Sequence, residues 1–218
     1  MKKLYGWIVG LVLFCFICTG LFFALAPELI PVHYNVHGEV DRWGSKYEFL
    51  VFPVLDLIAG GLMLLVSRYE GRKGRGENEK IVAGLTVWML VVFNVLWIFF
   101  MAKAFDPAAA VTGLGDFSAK GLVILMLVLF VAMGNYMPKV RRNSMLGLRT
   151  KWSMASDACW QRSQRLGGYT LVLCGAAGII PVALLPASWS VWLLLGIVGV
   201  LLVVSIVGSW RIYKEEIT

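Results

Sequence analysis

His33 and His37 stand four residues apart, with Glu28, Glu39 and Asp41 nearby, in the stretch PELIPVHYNVHGEVDRWGSKYE at 27–48. Imidazoles and carboxylates so spaced could ligate a metal ion. Pro31 and Gly38 bracket the pair, however, so a helix presenting both rings is not assured. A folded outer cap, with Trp43 and Tyr47 anchored at a membrane interface, accounts for the stretch better, and no metal or other cofactor is expected. A second group lies within apolar sequence. Asp56 is the one acid there, and a carboxylate in such surroundings marks a functional site because its charge is costly to bury. Thr19 and Asn94 lie at about the same depth on neighbouring apolar runs, so the three could share one polar layer. That layer is either a set of interhelical hydrogen bonds or a small cavity that binds a ligand or proton at Asp56. Pro53, one turn earlier, could loosen the backbone and open such a cavity.

The third group is the stretch PKVRRNSMLGLRTKWSMASDACWQRSQRLG at 138–167, with seven Lys or Arg against the single acid Asp157. Gly147 reads as a turn. Ser156 reads as the cap of a short helix running to Gly167 and Gly168, with Asp157 well placed for its dipole. Trp152 and Trp160 would let such a helix lie on the membrane surface, dipping into the headgroups.

The elements that must position these groups follow from composition. Of 218 residues, 59% are hydrophobic and 15% charged, which is a membrane protein's balance. Six apolar segments, at about 5–26, 49–67, 81–102, 120–137, 168–186 and 189–210, are each long enough to cross a hydrocarbon core of about 30 Å. The first resembles a signal peptide, but its length and Pro27 after Ala24-Leu25-Ala26 favour a retained transmembrane helix. The expected fold is an all-α integral membrane protein of six transmembrane helices. It divides into a helix pair with its outer loop (1–67), a flexible basic connector (68–80), and a four-helix region (81–218) carrying the 138–167 loop. Alternate sides of this layout receive sixteen and four of the twenty Lys and Arg. The positive-inside rule then places both termini in the cytoplasm and accounts for most of the +7 net charge.

Other readings of these residues are weaker. Cys15 and Cys18 sit in an apolar run without polar access, so all four cysteines are expected as free thiols. The glycines of 68–80 follow no strand and precede no Gly-Lys-Ser/Thr, which excludes a phosphate loop. No H-E-x-x-H, G-x-S-x-G or Walker pattern is present, so an enzyme is not expected. Direct nucleic-acid binding is disfavoured because the basic residues already have the bilayer as partner, at roughly 1 kcal/mol per cation near anionic lipid.

Two stretches resemble known sequences. Pro31, His33, Gly38, Asp41 and Ser45-Lys46 match a first-helix and outer-loop module, of unassigned role, that opens many bacterial multi-pass proteins. Gly134-Asn135-Tyr136, Pro138-Lys139, Asn143, Gly147, Arg149-Thr150, Trp152, Trp160, Arg165 and Gly167-Gly168 resemble the signature of the SdpI family, bacterial membrane proteins named for immunity to the sporulation-delaying toxin. The resemblance implies a cell-membrane protein that protects its cell from a secreted peptide and, as in the founding member, signals by docking a cytoplasmic repressor. Sensing would fall to His33, His37, Gly38, Asp41, Asp56 and Asn94. Docking would fall to the loop motif of Asn135, Pro138, Asn143, Gly147, Arg149, Thr150, Trp152, Trp160 and Arg165. The alternative is a small proton-coupled transporter or exporter using Asp56.

Overall fold

The computed structural model describes residues 1–35, 40–105, 114–143 and 146–217, with backbone alone for 114–119 and 217. Among the described residues six helices are long and apolar enough to span a membrane. They are α1 (Lys2–Leu25), α2 (Val51–Arg72), α3 (Gly76–Phe105), α4 (Leu114–Tyr136), α5 (Asp157–Leu184) and α6 (Ser190–Ile217). The six-helix membrane fold read from hydropathy is the fold observed. A two-stranded antiparallel ribbon, β1 (Leu29–Tyr34) and β2 (Val40–Ser45), is an addition to it, so the cap is β rather than wholly helical. A 3-10 turn, Lys46–Leu50, leads from the ribbon into α2. The chain forms two compact units, residues 1–67 with 82–122, and 68–81 with 123–218.

In the first unit the ribbon is tied to the end of α1. Ile30 of β1 is fully buried in an aromatic cluster in which Phe22 stacks on Phe49 and Phe52 on Trp97, with ring centroids 5.5 and 4.6 Å apart. Lys46 is 6% exposed, and its ammonium reaches Ala26 O (3.3 Å) and Glu28 Oε1 (3.0 Å). A cation at the carbonyl end of α1 meets the negative pole of the helix. Ser45 Oγ accepts from Tyr47 N and starts the following turn. The Ser-Lys pair that closes the module is thus the hinge between ribbon and bundle.

Three expectations are corrected, two in the second unit and one in the first. The 68–80 stretch is not a flexible connector. α2 runs on to Arg72, α3 begins at Gly76, and the turn between them is a Schellman cap. Gly74 (φ +74°) donates from N to Gly71 O at 3.0 Å, and Arg75 N donates to Glu70 O at 3.0 Å. The basic loop does not hold a separate surface helix. Ser156 caps as expected, accepting from Cys159 N at 3.0 Å, but the helix it starts is α5, which continues for 28 residues through Gly167, Gly168 and Pro181. The two glycines do not end α5, because they are where it meets α4. A Cβ on Gly168 would stand 2.7 Å from Gly134 O, and one on Gly175 would stand 2.8 Å from Leu127 O. Backbones approach this closely in membranes only across small residues. Lastly, Pro53 occupies the first turn of α2, where its missing N–H breaks no bond within that helix, so it does not loosen α2 as expected. A five-residue link carrying a short 3-10 turn, Ala187–Trp189, joins α5 to α6 as the expected tight hairpin.

Candidate functional site

The polar layer of the first unit resolves into two pairs. Asn94 Nδ2 donates to Asp56 Oδ2 (3.1 Å) and to Leu90 O (2.8 Å). Thr19 Oγ1 accepts from Trp97 Nε1 (3.0 Å) and donates to Cys15 O (2.7 Å). All four side chains are buried. Trp97, three residues beyond Asn94 on α3, is the member sequence reasoning missed, although that spacing puts it on the same face. Cys15, Asp56 and Trp97 line one cavity of about 130 Å³ whose other walls are apolar, Phe52, Leu55, Phe93 and Leu96. Asp56 Oδ1 and Asn94 Oδ1 are buried without a donor among the described residues. Both amide hydrogens of Asn94 are already committed, so the site is short of donors and suits a donor-bearing group or a proton.

On the ribbon, His33 Nδ1 and Asp41 Oδ1 are 2.6 Å apart and exposed. The pairing shifts register on both sides of His33, which brings its ring beside the aspartate. His37, Gly38 and Glu39 lie outside the described residues. Among the described residues no three His, Cys, Asp or Glu side chains are gathered to hold a metal. Asp56 and His33 belong to separate clusters.

The loop motif of the second unit folds into a continuous set of side-chain to backbone bonds. Asn78 on α3, fully buried, donates from Nδ2 to Glu70 Oε2 (2.9 Å) and Arg141 O (3.1 Å) and accepts from Arg141 N (2.9 Å). Glu70 is fully buried and is also reached by Arg75 Nη1 at 3.3 Å. Asn143 Nδ2 donates to Arg141 O (2.8 Å), and Asn143 Oδ1 accepts from Leu146 N (2.7 Å). Gly147 takes the turn at φ +92°, and a Cβ there would stand 2.5 Å from Gln164 Oε1. The Gln164 amide pairs with both backbone groups of Leu148, accepting from N (2.9 Å) and donating to O (3.0 Å), so it acts as a strand would. Thr150 and Ser153 cap one another, and Thr150 Oγ1 bonds Ser209 Oγ of α6 at 2.9 Å.

Trp160 is 1% exposed, which overturns the expectation that it dips into headgroups. Its Nε1–H donates to Val140 O at 2.7 Å and pins the chain leaving α4 to α5. Trp152 is half-buried, with Lys151 Nζ 5.1 Å from its ring centroid. Asn135, which donates to Val131 O at 3.0 Å, and Arg149 and Arg165 are exposed. Pro138 lies in the 3-10 turn closing α4. The motif therefore divides: Asn143, Gly147, Thr150 and Trp160 build the loop, while Arg149, Trp152 and Arg165 are presented by it. Asn78, Gln164 and Ser209 escape sequence reasoning because they act on loop residues far away in sequence, and Glu70 because it acts through Asn78, whereas Ser153 is a local cap three residues from Thr150. Trp160→Phe keeps the ring and strands Val140 O. It is expected to cost about 1–3 kcal/mol, read as a lower thermal midpoint in detergent, and no change would remove the pin.

Comparison with known proteins follows the same division. The model of the SdpI/YfhL protein family matches residues 139–209, and that of a domain of unknown function, DUF1648, matches residues 10–56. The Immunity protein SdpI of Bacillus subtilis (strain 168) is 21% identical over 212 residues, covering 95% of this chain and 96% of that protein. An uncharacterized protein of Archaeoglobus fulgidus is 35% identical over 48 residues, 22% of this chain and 26% of that one. No solved structure matches the chain.

Proposed function

We propose that this chain is a member of the SdpI/YfhL protein family and that, as a multi-pass cell-membrane protein, it protects its cell from a secreted peptide toxin. The observation that carries the reading is the collinear likeness to an immunity protein along nearly the whole of both chains, not in one module alone. Both termini and the 138–167 loop are cytoplasmic in this proposal, and the ribbon faces outward. The Asp56–Asn94 pair and its cavity supply the element that responds to the toxin. A lipid-borne peptide side chain carrying a donor would meet Asp56, whose Oδ1 lacks one, and a buried polar group rewards such a partner strongly. On the other side, the exposed residues Arg149, Trp152 and Arg165 offer a regulator a cationic and aromatic surface, which favours an acidic partner.

The test is survival of a sensitive bacterium expressing the protein and challenged with the sporulation-delaying peptide or with unrelated membrane-active toxins. Expression is expected to raise survival against one of them, and no shift with any would sink the assignment. Asp56→Asn, at wild-type abundance, is expected to lower the protective dose about tenfold or more, the equivalent of one lost interaction of about 1.4 kcal/mol. Full protection by this variant would leave the pair a purely structural role. The same donor shortage favours a second reading, a proton-coupled transporter. There, efflux would follow the proton gradient and stop in Asp56→Asn, whereas immunity by binding would not depend on the gradient. A pull-down with Arg149→Glu and Trp152→Ala tests regulator docking, and an undiminished partner would place docking elsewhere.

A further inference from the structure

A cleft of about 650 Å³ opens in the second unit between the α2–α3 turn, the chain leaving α4, and the first turns of α5. Five cations line it, Arg75, Lys139, Arg141, Arg142 and Arg165, against the single carboxylate of Asp157. Three of the five are compensated. Arg75 pairs with Glu70 (3.3 Å), Arg141 with Glu77 (2.8 Å) and Arg142 with Asp157 (2.8 Å). Lys139 and Arg165 have no carboxylate partner among the described residues, and Lys139 has only the ring of Tyr136, 5.4 Å away. Two uncompensated cations in one cleft call for an anion, and a guanidinium beside an ammonium suits phosphate oxygens.

Depth identifies the source of that phosphate. Lys139 is the last residue of the apolar span that ends α4. From Arg165 to Leu184 the helical rise covers about 29 Å, the thickness of a hydrocarbon core, which puts Arg165 at its edge. Tyr169, one turn deeper, is 65% exposed, as a side chain at the headgroup boundary is. Lys73 over Tyr69 and Lys214 over Trp210 repeat the aromatic and cation pairing at the same end of this unit, with separations of 5.6 and 4.4 Å. We propose that this cleft is a binding site for the phosphate of an anionic phospholipid headgroup, clamped by Lys139 and Arg165. The remaining arginines, already paired, shape the walls.

The full chain in detergent is tested by native mass spectrometry and thermal unfolding after addition of phosphatidylglycerol, phosphatidylcholine or inorganic phosphate. Phosphatidylglycerol is expected to be retained and to raise the thermal midpoint. Lys139→Gln with Arg165→Gln should lower retention at least about tenfold. Arg165→Lys, which keeps the charge and guards against a folding artefact, should restore most of it when Lys139 is intact. Lys151→Gln with Arg211→Gln removes equal charge outside the cleft and should leave retention unchanged. Equal retention by the cleft variant, equal retention of phosphatidylcholine, or an equal loss in the charge-matched control would overturn the proposal. A midpoint shift from inorganic phosphate as large as that from the lipid would assign the cleft to a soluble anion instead.

Discussion

Gly168→Leu will not yield folded protein, and Gly168→Ala will lose about 1–3 kcal/mol of stability, the usual toll of overpacking a closed contact. The new Cβ would stand 2.7 Å from Gly134 O and 2.9 Å from Pro138 Cδ. A carbonyl oxygen and a proline ring cannot rotate aside as a long side chain does, so α4 and α5 must separate. The facing change, Gly134→Ala, meets Gly168 O at 2.6 Å and should cost a similar amount. Gly196→Ala on α6, with nothing within 4 Å of its added methyl, is the control and should be neutral or slightly stabilising. Thermal unfolding in detergent reads the three alanine variants, and the yield of folded protein reads Gly168→Leu. A Gly168→Ala protein as stable as the control would mean that the helices do not touch there.

Asn78→Ala is expected to destabilise by about 3 kcal/mol or more, because it strands several groups at once. Glu70 Oε2 keeps only a 3.5 Å contact with Arg75, Arg141 N loses its acceptor, and Arg141 O is left with Asn143 Nδ2 alone. Asn78→Asp sharpens the test. It is isosteric and can still accept from Arg141 N, yet it places a second carboxylate against the fully buried Glu70. Like charges at that separation cannot both be held, so this variant should also be strongly destabilised at neutral pH. A mild Asp variant beside a severe Ala variant would make the contact one of shape alone.

Hydropathy made the six helices legible, since spanning a bilayer requires twenty apolar residues in a row wherever they occur. The turns and caps that use local chemistry were legible too: Ser156, Gly147 and the α5–α6 hairpin behave as their neighbours in sequence suggest. The misreadings share a cause. Glu70 and Asn78 look like solvated linker, yet both are buried, and Asn78 is bound to Arg141, 63 residues further on. Trp160 looks like an interfacial anchor until Val140 supplies its acceptor. Gly167-Gly168 looks like a helix stop, and only the facing Gly134 shows why two poor helix formers lie within α5. At the polar layer, the Asp56–Asn94 pairing was legible from depth, whereas the role of Trp97 needed the crossing of α1 and α3.

α5 is about 42 Å long by its helical rise, some 12 Å more than the bilayer core requires. Its one proline, Pro181, lies near the end far from the basic loop, and proline is where long helices bend. Between Pro181 and Arg165 lies about 24 Å of helix without another such break. Mechanically that is a lever with its fulcrum at one membrane face and its load at the other. A bend of only about 10° at Pro181 would sweep Arg165 through about 4 Å, more than the reach of a hydrogen bond. Gln164, Trp160 and Arg162 ride on the same arm, so Leu148, Val140 and the end of α6 would be pulled with it.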